Sequence, residues 1–211
     1  MLDAIRRSFS LPGPARASME AMRLPPLLLL LLLGAPAGPA TTLRYWIEPC
    51  AQPQSECRPG DPELAGWALA AWQNASQGHL TLEKTAEREL AHIRIHWATG
   101  TNGQYGETRP IEVLGARGAE VYVLPTVVAA TVEDRLLRDA VVYLTCLHET
   151  GHALGLEHTA VFADIMYSFQ YGGDITEYFA RYRREIHTRA EIRAHSGISA
   201  ADRRRLLELY R

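Results

Sequence analysis

The stretch His148-Glu149-Thr150-Gly151-His152-Ala153-Leu154-Gly155-Leu156-Glu157-His158 decides how this 211-residue chain is read. Leu137, Val141, Leu144 and Leu147 lead into it at helical spacing, so His148 and His152 fall four apart on one helix. Their rings then project from one face, one turn apart. Two imidazoles placed this way reach one zinc ion at about 2.0–2.1 Å. Gly155 is a good left-handed helix stop. It lets the chain turn back so that His158 supplies a third nitrogen. Three protein ligands leave the fourth tetrahedral position open, which separates a catalytic zinc site from a structural one. Glu149 lies beside the two helical histidines, close to a metal-bound water without being forced to ligate. It is the expected general base of a hydrolytic reaction. Two histidines at helical spacing are a weak signal alone. Five specified positions, with a helix stop where the geometry needs one, are a strong signal.

Outward from this segment, Thr131 and Asp134 suggest a capping box for the long helix. Upstream, residues 42–47, 80–83, 91–97 and 120–124 read as strands, the last stopped by Pro125. Residues 62–75 read as an amphipathic helix, with Asp61 as N-cap and Pro62 at its first position. Residues 100–106 read as a loop. Downstream, residues 176–187 carry Tyr178, Phe179, Tyr182 and Ile186 on one side of a helix, and residues 199–202 cap a last helix ending at Tyr210. Arg181, Arg183, Arg184, Arg189 and Arg193 are expected on a solvated face. Strands with one early helix, followed by helices, predict an α+β domain.

Arg16 and Arg23 precede an unbroken leucine run at 27–33, and small residues follow to Ala40. A basic region, a short apolar stretch and an A-x-A-like end predict a signal peptide over 1–40, cleaved after Ala37 or Ala40, with Met19 or Met22 as alternative starts. The run is shorter than the roughly 20 apolar residues a membrane span needs. The predicted domain is 41–211, and its destination is secreted or extracytoplasmic. The whole chain carries 22 basic and 24 acidic side chains, which excludes a strongly basic nucleic-acid binder. Hydrophobic content of 47% with 22% charged residues excludes global disorder. Three cysteines are too few for a disulfide scaffold. Cys50 and Cys57, close together among prolines, are expected to form a local disulfide, and Cys146 to be a buried thiol.

The 148–158 segment resembles the extended zinc-binding motif of the metzincin endopeptidases. Asp164-Ile165-Met166-Tyr167-Ser168 resembles the methionine turn of that clan, with Met166 eight residues after His158, a spacing similar to the matrixin branch. The resemblance implies a two-lobed α+β catalytic domain. A twisted mixed sheet with two helices would be followed by a mainly helical C-terminal subdomain. It implies one catalytic zinc on His148, His152 and His158, catalysis through Glu149, and Met166 as an apolar floor. By the same resemblance residues 120–124, with Tyr122, would be the edge strand that pairs with substrate, and Tyr167 to Tyr171 would wall the specificity pocket.

The chain departs from that pattern too. No cysteine-switch segment is visible before the first strand, and Ser168 stands where the family commonly has proline. Residues 100–119 contain Glu107 and Glu112 but no histidine or aspartate cluster, so calcium is possible without support from the sequence. His92 and His96 are two strand positions better read as sharing a face than as a second zinc site. His187 and His195 show no ligand spacing. The arginine bias points to a bacterial source, under which the sequon at Asn74 is chance. The expected partner is a protein or peptide substrate, bound by a monomer. The alternative is a metal-binding interaction module without catalysis, against which the presence of Glu149 speaks.

Overall fold

The computed structural model describes residues 40–99, 105–125 and 134–211. The predicted signal peptide, the 100–104 part of the predicted loop and Thr131 lie outside the described residues. The fold is α+β: a five-stranded mixed sheet with four α-helices among the described residues. The elements are β1 (Thr41–Ile47), α1 (Asp61–Ala75), β2 (Leu80–Lys84), β3 (Ile93–Trp97), β4 (Gly106–Val113), β5 (Ala116–Val123), α2 (Arg135–Ala153), α3 (Ile175–Arg183) and α4 (Ala200–Tyr210). The sheet order is β2-β1-β3-β5-β4. All neighbours run parallel except β4 and β5, a hairpin turned at Leu114-Gly115, both with positive φ.

Alternation sorts each inner strand onto two faces. Ile93, Ile95 and Trp97 of β3 and Ala119, Val121 and Val123 of β5 are buried beneath the helices. Arg94, His96, Glu120 and Tyr122 point to the other face, with the polar residues packed on one another. Helix α1 buries Leu64, Ala68, Leu69 and Trp72 and packs against α2, where the Trp72 indole N–H donates to the Leu147 carbonyl at 2.8 Å. Helix α2 is buried along most of its length. Its N-cap is Asp134, whose carboxylate accepts from Leu137 N–H at 2.9 Å. No described helix is long and apolar enough to cross a membrane.

Several expectations need correction. Residues 120–124 are not an edge: β5 lies between β3 and β4, and β4 is the edge. Strand β4 escaped detection because its helix-facing positions are Gly106, Thr108 and Pro110, which bring no apolar alternation. Proline is tolerated there because an edge strand has one unpaired side. Asp61 is the first residue of α1, not its cap. Its buried carboxylate pairs with Arg138 of α2 and accepts from Arg58 N–H at 2.8 Å. Of the five arginines expected on a solvated face, Arg184 and Arg193 are exposed, but Arg181, Arg183 and Arg189 are ties. Arg181 covers the Phe162 and Tyr178 rings, Arg183 pairs with Asp134 at 2.9 Å, and Arg189 reaches Asp139 at 3.3 Å and the Gly60 carbonyl at 2.6 Å. Helix α3 ends at Arg183, short of the predicted 187, and Arg183 folds its guanidinium onto the Ile186 carbonyl at 2.9 Å. Cys50 and Cys57 are joined by a disulfide, and Cys146 is buried and free, its thiol pushed up by burial.

Candidate metal centre

The last turn of α2 builds the site. Gly155, at φ +99°, ends the helix in a Schellman pattern: Leu156 N–H donates to the Gly151 carbonyl at 3.0 Å and Gly155 N–H to the His152 carbonyl at 2.9 Å. The reversal brings His158 back over the helix. The three Nε2 atoms then stand 3.2 Å (His148–His152), 3.2 Å (His148–His158) and 3.1 Å (His152–His158) apart. Two nitrogens bound tetrahedrally at 2.0–2.1 Å to one ion stand about 3.3 Å apart. The triangle therefore matches one metal ion, and the triad can hold one.

The ring orientations have causes. His148 Nδ1 lies 2.7 Å from the Ile165 carbonyl and His152 Nδ1 2.8 Å from the Leu156 carbonyl. A carbonyl only accepts, so each Nδ1 carries the proton and each Nε2 presents a lone pair. Burial and the neighbouring imidazole push His148 down to about 4, and burial also lowers His152 and His158. All three are neutral near pH 7, the state a metal needs. The only other described group with metal-ligand spacing is Cys50, Cys57 and Asp61, whose sulfurs are bonded to each other.

Glu149 is buried, and burial pushes its carboxyl up to about 7, against the Thr108 hydrogen bond and with the help of the Glu107 charge. The Thr108 hydroxyl lies 2.7 Å from Glu149 Oε2. Met166 sits fully buried in a turn closed by Tyr167 N–H on the Asp164 carbonyl. It contacts Gly151, where any Cβ would overlap its sulfur, and that position also lies 3.0 Å from Trp72. Helix α4 clamps this turn. Its capping box of Ser199 and Asp202 reaches out to the Asp164 carboxylate at 2.7 Å and the Ile165 N–H at 2.8 Å. Burial alone would raise Asp164, but hydrogen bonds from Ser199, Arg205 and Thr159 hold it below its ordinary range. The Ile165 carbonyl that orients His148 also lies 3.1 Å from the Tyr178 hydroxyl, which ties α3 to the site.

A cleft of about 790 Å³ runs past this centre. The three histidines and Glu149 line it, with Thr108 and Pro110 of β4 on one side and Tyr167 and Phe169 on another. Tyr167 donates its hydroxyl to the Gly172 carbonyl at 2.8 Å. Tyr171 is 57% exposed and lies off the cleft. Tyr122 is not at the centre: it faces away from α2, stacked on His96 with its hydroxyl on Glu120 at 2.7 Å. A one-residue shift in strand parity is enough to send a side chain to the wrong face. Sequence reasoning missed Gly106, Thr108 and the packing role of Gly151. Only the last left a trace, as a glycine inside an otherwise good helix. No protein-family model matches the chain, and no curated protein matches it.

Proposed function

We propose that this chain is a zinc-dependent endopeptidase of metzincin type, most similar in its motifs to the matrixins. The observation that carries the reading is the convergence of three neutral Nε2 atoms within 3.2 Å, beside a buried carboxylate, in an open cleft. A set of three imidazoles suits zinc in both ligand type and spacing, and His148, His152 and His158 would hold it. Bound there, zinc supplies an acidified water and polarises a carbonyl oxygen.

The chain's own residues do the rest. Glu149 takes a proton from the attacking water and gives it to the leaving amine. Strand β4 offers a template for an extended peptide. Ala119 N–H donates to the His92 carbonyl at 2.7 Å, while Leu124 N–H donates to the Tyr105 carbonyl at 2.8 Å. Antiparallel alternation then turns the main-chain groups of Gly106 and Thr108 away from β5, free to pair with a peptide. Pro110, next in that series, has no N–H to offer. The Cys50–Cys57 disulfide supports a secreted or extracytoplasmic location.

The test is a broad peptide library offered to zinc-loaded protein. The expected result is one zinc per chain and cleavage that 1,10-phenanthroline abolishes. A zinc-loaded protein that leaves every member intact overturns the peptidase reading in favour of a metal-binding interaction module.

A further inference from the structure

We propose that Gly106 and Thr108 of β4 form a cradle that holds the Glu149 carboxylate in its working orientation, Gly106 by leaving room and Thr108 as a positioning residue. The inference rests on the peptidase reading and concerns two residues that lie outside the 148–158 motif.

The two residues are one strand repeat apart, so both face α2. At Gly106 a Cβ would stand 2.6 Å from Glu149 Cγ and 2.8 Å from Oε1. Non-bonded atoms do not approach so closely, so any larger residue displaces the carboxylate or the strand. Gly106 is not among the positive-φ glycines. The glycine is needed there for space and not for backbone conformation.

Thr108 supplies the attractive half. Its hydroxyl lies 2.7 Å from Glu149 Oε2 and 2.9 Å from the Glu149 main-chain carbonyl. The single hydroxyl proton has two acceptors, one on the movable carboxylate and one on the fixed helix. Donation to Oε2 anchors that oxygen and leaves Oε1 for the reacting water. Valine has the shape of threonine and none of this chemistry.

The experiment compares wild type with T108V, T108S and G106A, each loaded with zinc. T108V is expected to lower kcat about 10- to 100-fold, the scale of a misplaced catalytic group. KM should change less than about twofold and zinc affinity, by chelator competition, should not change. T108S restores kcat to within about threefold of wild type, because it keeps the hydroxyl. G106A lowers kcat at least as much as T108V. A second readout needs no activity: in metal-free protein, T108V and E149A should shift the melting temperature non-additively. Wild-type kcat in T108V, failure of T108S to recover it, or strict additivity overturns the cradle. If T108V does not fold, T108A replaces it on the same criteria. A wild type that cleaves nothing overturns the peptidase reading instead, and additivity in the melting cycle still decides whether Thr108 holds Glu149.

Discussion

The two faces of the sheet each carry a dense cluster of polar side chains, and they are built on opposite rules. On the face away from the helices, charged and polar side chains pack on one another. His96 stands 3.8 Å from both Glu48 and Glu120, Glu120 takes Arg88 at 2.9 Å and Tyr122 at 2.7 Å, and Arg109 lies over the Tyr122 ring beside Glu107. On the helix face, three imidazoles bring their Nε2 atoms within 3.2 Å of one another, and burial raises the nearby Glu149 carboxyl. The outer cluster is held by ion pairs and by the Tyr122 hydrogen bond, with His96 Nε2 buried and without a hydrogen-bond partner among the described residues. The triad on the helix face can hold one metal ion. The difference is more informative than either count of titratable residues.

The comparison breaks most easily at the centre itself. His152→Ala should abolish zinc binding and proteolysis together. Glu149→Ala should keep about one zinc per chain and lose turnover by roughly 10²- to 10⁴-fold, the range for a general base. Metal analysis alongside peptide cleavage separates the two. His96→Ala, on the other face, should keep both, and loss of zinc in that variant would refute the division.

A second effect appears when metal is removed. Glu149 titrates near 7 in the fold and near 4.5 when unfolded. Between those values the folded chain binds the extra proton, so stability falls as pH rises through that window and levels off above it. Metal-free Glu149→Gln has no such titration. Relative to it, wild type should lose on the order of 3 kcal/mol between pH 4.5 and 7, since each tenfold difference in proton affinity is worth about 1.4 kcal/mol. Urea titrations of both proteins across the window measure the difference. Parallel curves would mean that Glu149 is not held in a desolvated site.

The floor of the site gives a smaller change. Gly151→Ala drives a methyl against the Met166 sulfur and toward Trp72, and overpacking of this kind costs about 1–3 kcal/mol. Chemical denaturation should show that loss, and Met166→Ala in the same chain should relieve part of it. Simple additivity of the two would show that Met166 does not press on α2.

What was legible from sequence was local. The histidine spacing, the Gly155 stop and the Ser199–Asp202 cap all depend on residues within a turn or two of each other. What was not legible depends on distant pairing. Nothing near Asp61 announces Arg138, 77 residues on, and nothing near Arg189 announces Gly60, 129 residues back. Strand β4 lacks the apolar alternation that marks a half-buried strand because one side of it faces a cleft. Tyr122 was misplaced for a related reason: whether a strand is an edge, and which of its faces meets a helix, is settled by the sheet and not by the strand. Thr108 and Gly106 became visible only once β4 was laid against Glu149.

The mildest prediction concerns the outer face. In Glu120, the Tyr122 hydroxyl bond, more than the nearby arginines, holds the carboxyl below its ordinary value near 4.5, against burial. Glu120→Gln keeps an acceptor for Tyr122 and removes the charge facing Arg88, Arg94 and His96. The pairs are partly solvated, so the loss should be about 1 kcal/mol at neutral pH. The sign follows from the depressed value. The carboxylate's contribution is present above about 4.5 and disappears as pH falls through the folded value, so wild type and variant should converge under acid. Zinc content and peptide cleavage should not change, because the sheet stands between Glu120 and the triad. If Glu120→Gln impairs metal binding or turnover, the two faces are coupled and the outer cluster is part of the catalytic machinery. If it impairs stability alone, the outer cluster supports the sheet independently of the triad and Glu149.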